Sequence, residues 1–164
     1  IQVNNFYLPT REKFMIRNEG GCHCQQFRFY TEFDPILIVQ CSCQSCRKLL
    51  GSINFGTLFG EDEVTFKGET KTYEYLGGSG LPMVNYNCPN CSSICYRKGE
   101  AFEGLVGIPL GAYDNPQKFE PNIEIWTSQK LPWLRDNGCI KESFEDSGLM
   151  QRIEAMMVNM DQRG

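Results

Sequence analysis

Several things are scarce in this sequence, and each scarcity narrows what the chain does. No apolar run approaches the roughly 18 residues that a membrane span needs, so no membrane partner is expected. Basic residues are outnumbered, 16 Lys and Arg against 20 Asp and Glu, for a net charge of -4. That balance argues against nucleic acid or an anionic membrane as the main partner. No secretory signal is visible at the start. Since the chain begins at Ile1 rather than Met, a trimmed targeting segment stays open, and a cytoplasmic location is the expectation. No internal repeat or low-complexity stretch appears, so a single domain over 1–164 is expected, large enough for its own core. Histidine is almost missing. His23 is the only one, between Cys22 and Cys24.

Cysteine, by contrast, is abundant: there are nine. An odd number, no visible secretory signal and a core that needs no staples all disfavour a disulfide framework. The spacings favour metal. Cys22-x-Cys24, Cys41-x-Cys43-x2-Cys46 and Cys88-x2-Cys91 are close-set groups of the kind thiophilic metals use, with tetrahedral zinc the commonest occupant. Cys22 through Tyr30 alternates like a strand, which puts Cys22 and Cys24 on one face and turns His23 away from them. Cys22, Cys24, Cys88 and Cys91 together make a closed four-thiolate staple. Cys41, Cys43 and Cys46 are then left with an open fourth position. Zinc in such a site binds an incoming thiol and holds it as a nucleophilic thiolate near neutral pH, so the chemistry expected is making or breaking a carbon–sulfur bond. Two zincs per chain follow. The alternative is that Cys95, four residues beyond Cys91, completes the second site and leaves a non-catalytic binding or scaffold module. Cys139, in a polar loop, reads as a free thiol.

The remaining pattern is mostly β. Segments at 36–40, 53–59, 64–68, 71–75, 83–87, 94–96, 105–108 and 123–126 read as strands, with Gly77-Gly78-Ser79-Gly80 as a loop. A tight turn is expected between Cys43 and Cys46, and Leu49-Leu50-Gly51-Ser52 turns the chain away. Residues 1–19, with Phe6, Tyr7 and Leu8, read as an N-terminal arm. Leu149, Met150, Ile153, Met156, Met157 and Met160 recur at helical spacing, giving a helical tail over 136–164 and a candidate homodimer contact. Arg47-Lys48, directly after the third clustered cysteine, reads either as a solvated pair or as a cationic attractor for a carboxylate-bearing thiol such as glutathione.

With these residues in view, the chain resembles the glutathione-dependent formaldehyde-activating enzymes and the related centromere protein V. The likeness runs through Gly20-Gly21-Cys22-His23-Cys24, the Cys41–Lys48 segment, Gly51-Ser52, Thr65-Phe66-Lys67-Gly68, Tyr73, Asn87-Cys88-Pro89-Asn90-Cys91, Gly107-Ile108-Pro109-Leu110-Gly111, Asp114-Asn115-Pro116 and Pro132-Trp133, covering roughly 17–135. The resemblance implies a β-tent fold of small antiparallel sheets stapled by zinc. It also implies a structural zinc on Cys22, Cys24, Cys88 and Cys91 and a labile catalytic zinc on Cys41, Cys43 and Cys46. The activity implied is condensation of formaldehyde with glutathione, formally that of a carbon–sulfur lyase. Three positions depart from the family pattern: Gln25 and Ser92 stand where glycine is usual, and Glu124 stands where relatives carry a histidine. The carbon partner is therefore either formaldehyde or a larger electrophile or conjugate. If position 124 lines the pocket, Glu124 serves as general base; by alternation it is a solvated strand residue flanked by inward Ile123 and Ile125.

Overall fold

The computed structural model describes residues 16–162, so most of the expected N-terminal arm lies outside them. The chain forms β1 (Asn18–Gly21), β2 (Arg28–Thr31), β3 (Leu37–Cys41), α1 (Gln44–Leu50), β4 (Asn54–Gly60), β5 (Val64–Lys67), β6 (Lys71–Leu76), β7 (Pro82–Asn87), β8 (Ile94–Gly99), β9 (Leu105–Pro109), β10 (Ile123–Ile125), β11 (Glu142–Phe144) and α2 (Leu149–Gln162). Two sheets result. One is three-stranded, ordered β1-β2-β5, and the other eight-stranded, ordered β11-β10-β3-β4-β9-β8-β7-β6. The mainly β class with a short C-terminal helix is as expected. The second sheet is larger than expected and not wholly antiparallel, because β10 runs parallel to both β3 and β11.

Each cysteine group sits in its own core. Cys22 and Cys88 are buried with Phe27, Phe29, Phe59 and Val106, with Cys24 and Cys91 packed at the edge. Stacked rings finish this core: Phe66 on Tyr96 and Tyr86 on Tyr96, each pair at 4.2 Å between centroids. Cys41 and Cys43 are buried with Ile36, Leu37, Ile123, Ile125 and Met156.

Three local expectations are corrected. The continuous strand read from Cys22 to Tyr30 is a hairpin loop, because β1 ends at Gly21 and the Cys22 N–H returns to the Phe27 carbonyl at 3.1 Å. Gln25, at φ 65°, breaks the extended run, so Cys22 and Cys24 converge through a turn rather than through the pleat. The tight turn after Cys43 is the first turn of a helix, α1. Cys43 caps it, its sulfur accepting from the Cys46 N–H at 3.3 Å, and Gly51 closes it at φ 69° with its N–H on the Arg47 carbonyl. The tail is not only helical. β11 extends the sheet alongside β10, a pairing that three residues without apolar alternation do not announce.

In α2 the apolar stripe divides. Met156 is buried and Ile153 packs against the second core, whereas Met150, Met157 and Met160 are exposed. Asn159 Nδ2 ties the helix to the Ile36 carbonyl at 2.8 Å, at the entry to β3.

Candidate metal and substrate site

Two tight turns bring the first cysteine group together. The β1–β2 hairpin loop supplies Cys22 and Cys24, and the turn after β7 supplies Cys88 and Cys91. All four sulfurs lie within 4.8 Å of one another. Cys22 to Cys24 and Cys24 to Cys88 are both 3.6 Å. A tetrahedral zinc with bonds near 2.3 Å puts its sulfurs about 3.8 Å apart, so this donor set fits the metal. Hydrogen bonds at the Ser93 hydroxyl and backbone hold the Cys91 thiol down to about 5, which favours the ligating thiolate form. His23 is exposed on the loop and its backbone, not its ring, meets Ser93.

The second group is built where β3 runs into α1. Cys41 is the last residue of β3 and Cys43 the helix cap, and Cys46 lies in the first turn of α1. Their sulfurs also fall within 4.8 Å of one another. Hydrogen bonds from Cys41 and then Cys46 hold Cys43 far below the ordinary thiol range, while contact with Cys43 pushes Cys41 up. Three thiols this close repel as thiolates, so a bound cation would let all three ionise. Cys95 does not join them. It lies buried in the first core beside Cys22, Cys88 and Cys91, where burial pushes its thiol up to about 12. Among the described residues the trio has no fourth cysteine, histidine or carboxylate within ligand range.

What the trio does face is a cavity of about 160 Å³. Its walls are mostly apolar: Leu58, Leu81, Met83, Phe102, Leu105, Ile125, Trp126 and Leu149, with Tyr75, Arg97 and Arg152 as the large polar members. The Gly77–Leu81 loop crosses over Cys43. Trp126 reaches the cavity from a left-handed backbone, φ 60°, that ends β10 abruptly, and its backbone N–H donates to the Asp146 carbonyl at 2.8 Å. Such a conformation is costly for a bulky residue and is held by its surroundings.

The sequence-derived auxiliary residues fall elsewhere. Arg47 and Lys48 lie on α1 and line no part of the cavity. Glu124 is not solvated: it is 3% exposed, accepting from Gln40 Nε2 at 2.6 Å and pairing with Lys130 Nζ at 2.8 Å. Register explains its direction. Ile125 sits beside Cys41 and Glu124 beside Gln40, so the two members of each neighbouring pair share a face. Cys41 and Ile125 face the cavity; Glu124 and Gln40 face the other way, under the segment carrying Lys130 and Asn137.

Arg97 and Arg152 were missed, though both leave a trace in the sequence. Along β8, Cys95 and Arg97 are the buried alternates, so a charge occupies an apolar phase. On α2, Arg152 falls between Leu149 and Met156 on the inward stripe.

A mainly β fold carrying two cysteine groups able to hold metal defines the class. A family model for the glutathione-dependent formaldehyde-activating enzymes matches residues 17–129, and the chain belongs to that family. No curated protein matches the chain. Among solved structures it is similar to a Rhodobacter sphaeroides protein of 13% identity, covering 77% of this chain and 98% of that one at a TM-score of 0.46, a likeness too remote to carry any feature across.

Proposed function

We propose that this chain is a zinc-dependent carbon–sulfur lyase-type enzyme, with the cavity over Cys41, Cys43 and Cys46 as its active site. The observation that carries this reading is three converging sulfurs that line an apolar cavity and have no fourth ligand among the described residues. When bound there, zinc lowers the pKa of an incoming thiol and keeps it nucleophilic near neutral pH. The chain's own residues do the rest. Cys41, Cys43 and Cys46 would hold that metal, and Cys22, Cys24, Cys88 and Cys91 would hold a second, structural one. Phe102, Leu105, Trp126 and Leu149 shield the reacting sulfur from water, which strengthens polar interactions inside the cavity. The thiol is glutathione or a relative, and the carbon partner formaldehyde or a larger electrophile or conjugate. A reducing, cytoplasmic setting belongs to this reading, because all nine cysteines are unpaired.

The test is exchange-rate NMR on glutathione with formaldehyde, then with larger aldehydes, at catalytic amounts of zinc-loaded protein. Acceleration lost in Cys43→Ser supports the reading. No acceleration with any carbonyl, and no cleavage of glutathione conjugates, together with two zincs that resist mild chelation equally, would make the chain a zinc-stapled binding module instead.

A further inference from the structure

Arg97 is unusual for a charged residue in this protein. It is 9% exposed, lines the cavity beside the cysteine trio, and forms no ion pair among the described residues. Its position is fixed from two sides. Nη1 donates to Asn54 Oδ1 at 3.1 Å, and the stem lies against Gly107, where an added Cβ would come within 3.0 Å of Arg97 Cγ. Nε and Nη2 are buried and have no acceptor among the described residues. These two nitrogens form one edge of the guanidinium, with parallel N–H groups spaced to match the two oxygens of a carboxylate. Leaving the buried N–H groups of a held guanidinium without an acceptor is expensive unless something pairs with them.

A second cation lines the same cavity. Arg152 reaches in from α2, stacks over Phe102 at 5.0 Å, and has a buried Nε without an acceptor. It too lacks an ion pair among the described residues. Among the described residues no hydrogen bond joins either guanidinium to a sulfur of the trio, so the charge attraction of Arg97 to Cys46 and of Arg152 to Cys41 still leaves Arg97 Nε and Nη2 and Arg152 Nε without an acceptor. Arg152 also lies beyond residues 17–129, the part matched to the family.

We propose that Arg97 and Arg152 form a carboxylate-recognition pair. Arg97 takes the carboxylate in its Nε–Nη2 fork, and Arg152 adds the second positive charge. This rests on the thiol reading of the cavity and sharpens it: the preferred thiol, or the conjugate that releases it, carries a carboxylate a short chain from its sulfur.

The protein loaded with Co(II) tests this, because thiol binding alters the metal's visible absorption. The probes are 3-mercaptopropionate, with a carboxylate, and 2-mercaptoethanol, without one. The acid should half-saturate at least about tenfold lower, the worth of one charge-assisted pair of hydrogen bonds. Arg97→Lys keeps the charge and removes the fork, and should erase most of that preference while 2-mercaptoethanol binds as before. Arg152→Met should weaken it several-fold. If Arg97→Lys fails to fold by circular dichroism, Arg152→Met carries the comparison. Equal binding of both thiols by the wild type, or a preference surviving both variants, overturns the carboxylate pair and leaves the thiol reading standing. If no thiol moves the spectrum, the thiol reading fails. Propionate binding, followed by Trp126 fluorescence in a Trp133→Phe background, then decides the pair alone. Binding weakened by Arg97→Lys sustains it, and no binding ends it.

Discussion

A Cβ atom built on Gly78 would lie 2.9 Å from the Cys43 sulfur, 3.0 Å from its Cβ and 3.3 Å from Trp126 Nε1. The glycine loop between β6 and β7 therefore touches the trio directly, and it can do so only without a side chain. Gly78→Ala must push back either the loop or Cys43. Turnover, or thiol binding to the cobalt-loaded protein, should fall roughly 10–100-fold, as expected for sub-ångström misplacement at a reacting centre. Metal at Cys22, Cys24, Cys88 and Cys91 should be unaffected. Gly111→Ala is the control, since no atom of the described residues lies within 4 Å of its added Cβ. Equal behaviour of the two variants would separate the loop from the site.

The Glu124 cluster makes a stability prediction instead of a catalytic one. Lys130→Met leaves a buried carboxylate with only Gln40 for a partner, a loss of about 3 kcal/mol. Glu124→Gln keeps the acceptor for Gln40, and Lys130 retains Asp136 at 2.6 Å, so the cost should be about 1 kcal/mol. Combining the two should recover part of the Lys130→Met loss, because no unpaired charge remains. Urea denaturation measures all three. Turnover of Glu124→Gln should match the wild type; a drop with zinc content unchanged would return Glu124 to the chemistry.

How far the sequence can be read depends on which interactions set each element. The cysteine groups were legible because ligand spacing is local, and nearly every strand because apolar runs and turn residues are local too. Glu124 was not. Alternation across Ile123-Glu124-Ile125 implies one wet face, but β10 is an internal strand covered on both sides, with Gln40 and Lys130 satisfying the acid. β11 exists only through its partner β10. Arg97 and Arg152 are single charges in apolar phases, and their meaning appears only when α2 and β8 are seen to share a cavity.

Gln25 and Ser92 show the opposite case, in which the structure explains an oddity of sequence. The resemblance implies a glycine at each position, and both residues adopt left-handed backbone, φ 65° and 60°, directly after a cysteine of the first group. A residue with a Cβ is strained there by about 1–2 kcal/mol. Ser92→Gly should therefore stabilise the protein by roughly 0.5–1 kcal/mol after the entropy gained by the unfolded chain. Gln25→Gly should give less, because Gln25 Oε1 accepts from Arg28 Nη1 at 2.7 Å and that bond is lost. Thermal melts of the zinc-loaded variants would show a higher midpoint for Ser92→Gly. A lower one would mean that the knuckle tolerates serine without strain.

The two cysteine groups should answer differently to loss of one ligand. Cys88 is 0% exposed in a core that includes Cys22, Phe27 and Phe29, and its group ties the β1–β2 hairpin to the β7–β8 turn. Metal bound there is also folding free energy, of order 10 kcal/mol in small zinc modules, more than a domain of this size can lose. Cys88→Ser should leave no cooperative melt. Cys43 caps a seven-residue helix beside the cavity, and both flanking strands, β3 and β4, keep their own ladder. Serine can replace the cap at Cys46 N–H, so Cys43→Ser should fold, bind about one zinc fewer, and show no turnover. Circular dichroism and metal content on the same preparations decide it. Equal unfolding of the two variants would mean that both metals are staples, and the open trio would no longer distinguish an enzyme from a scaffold.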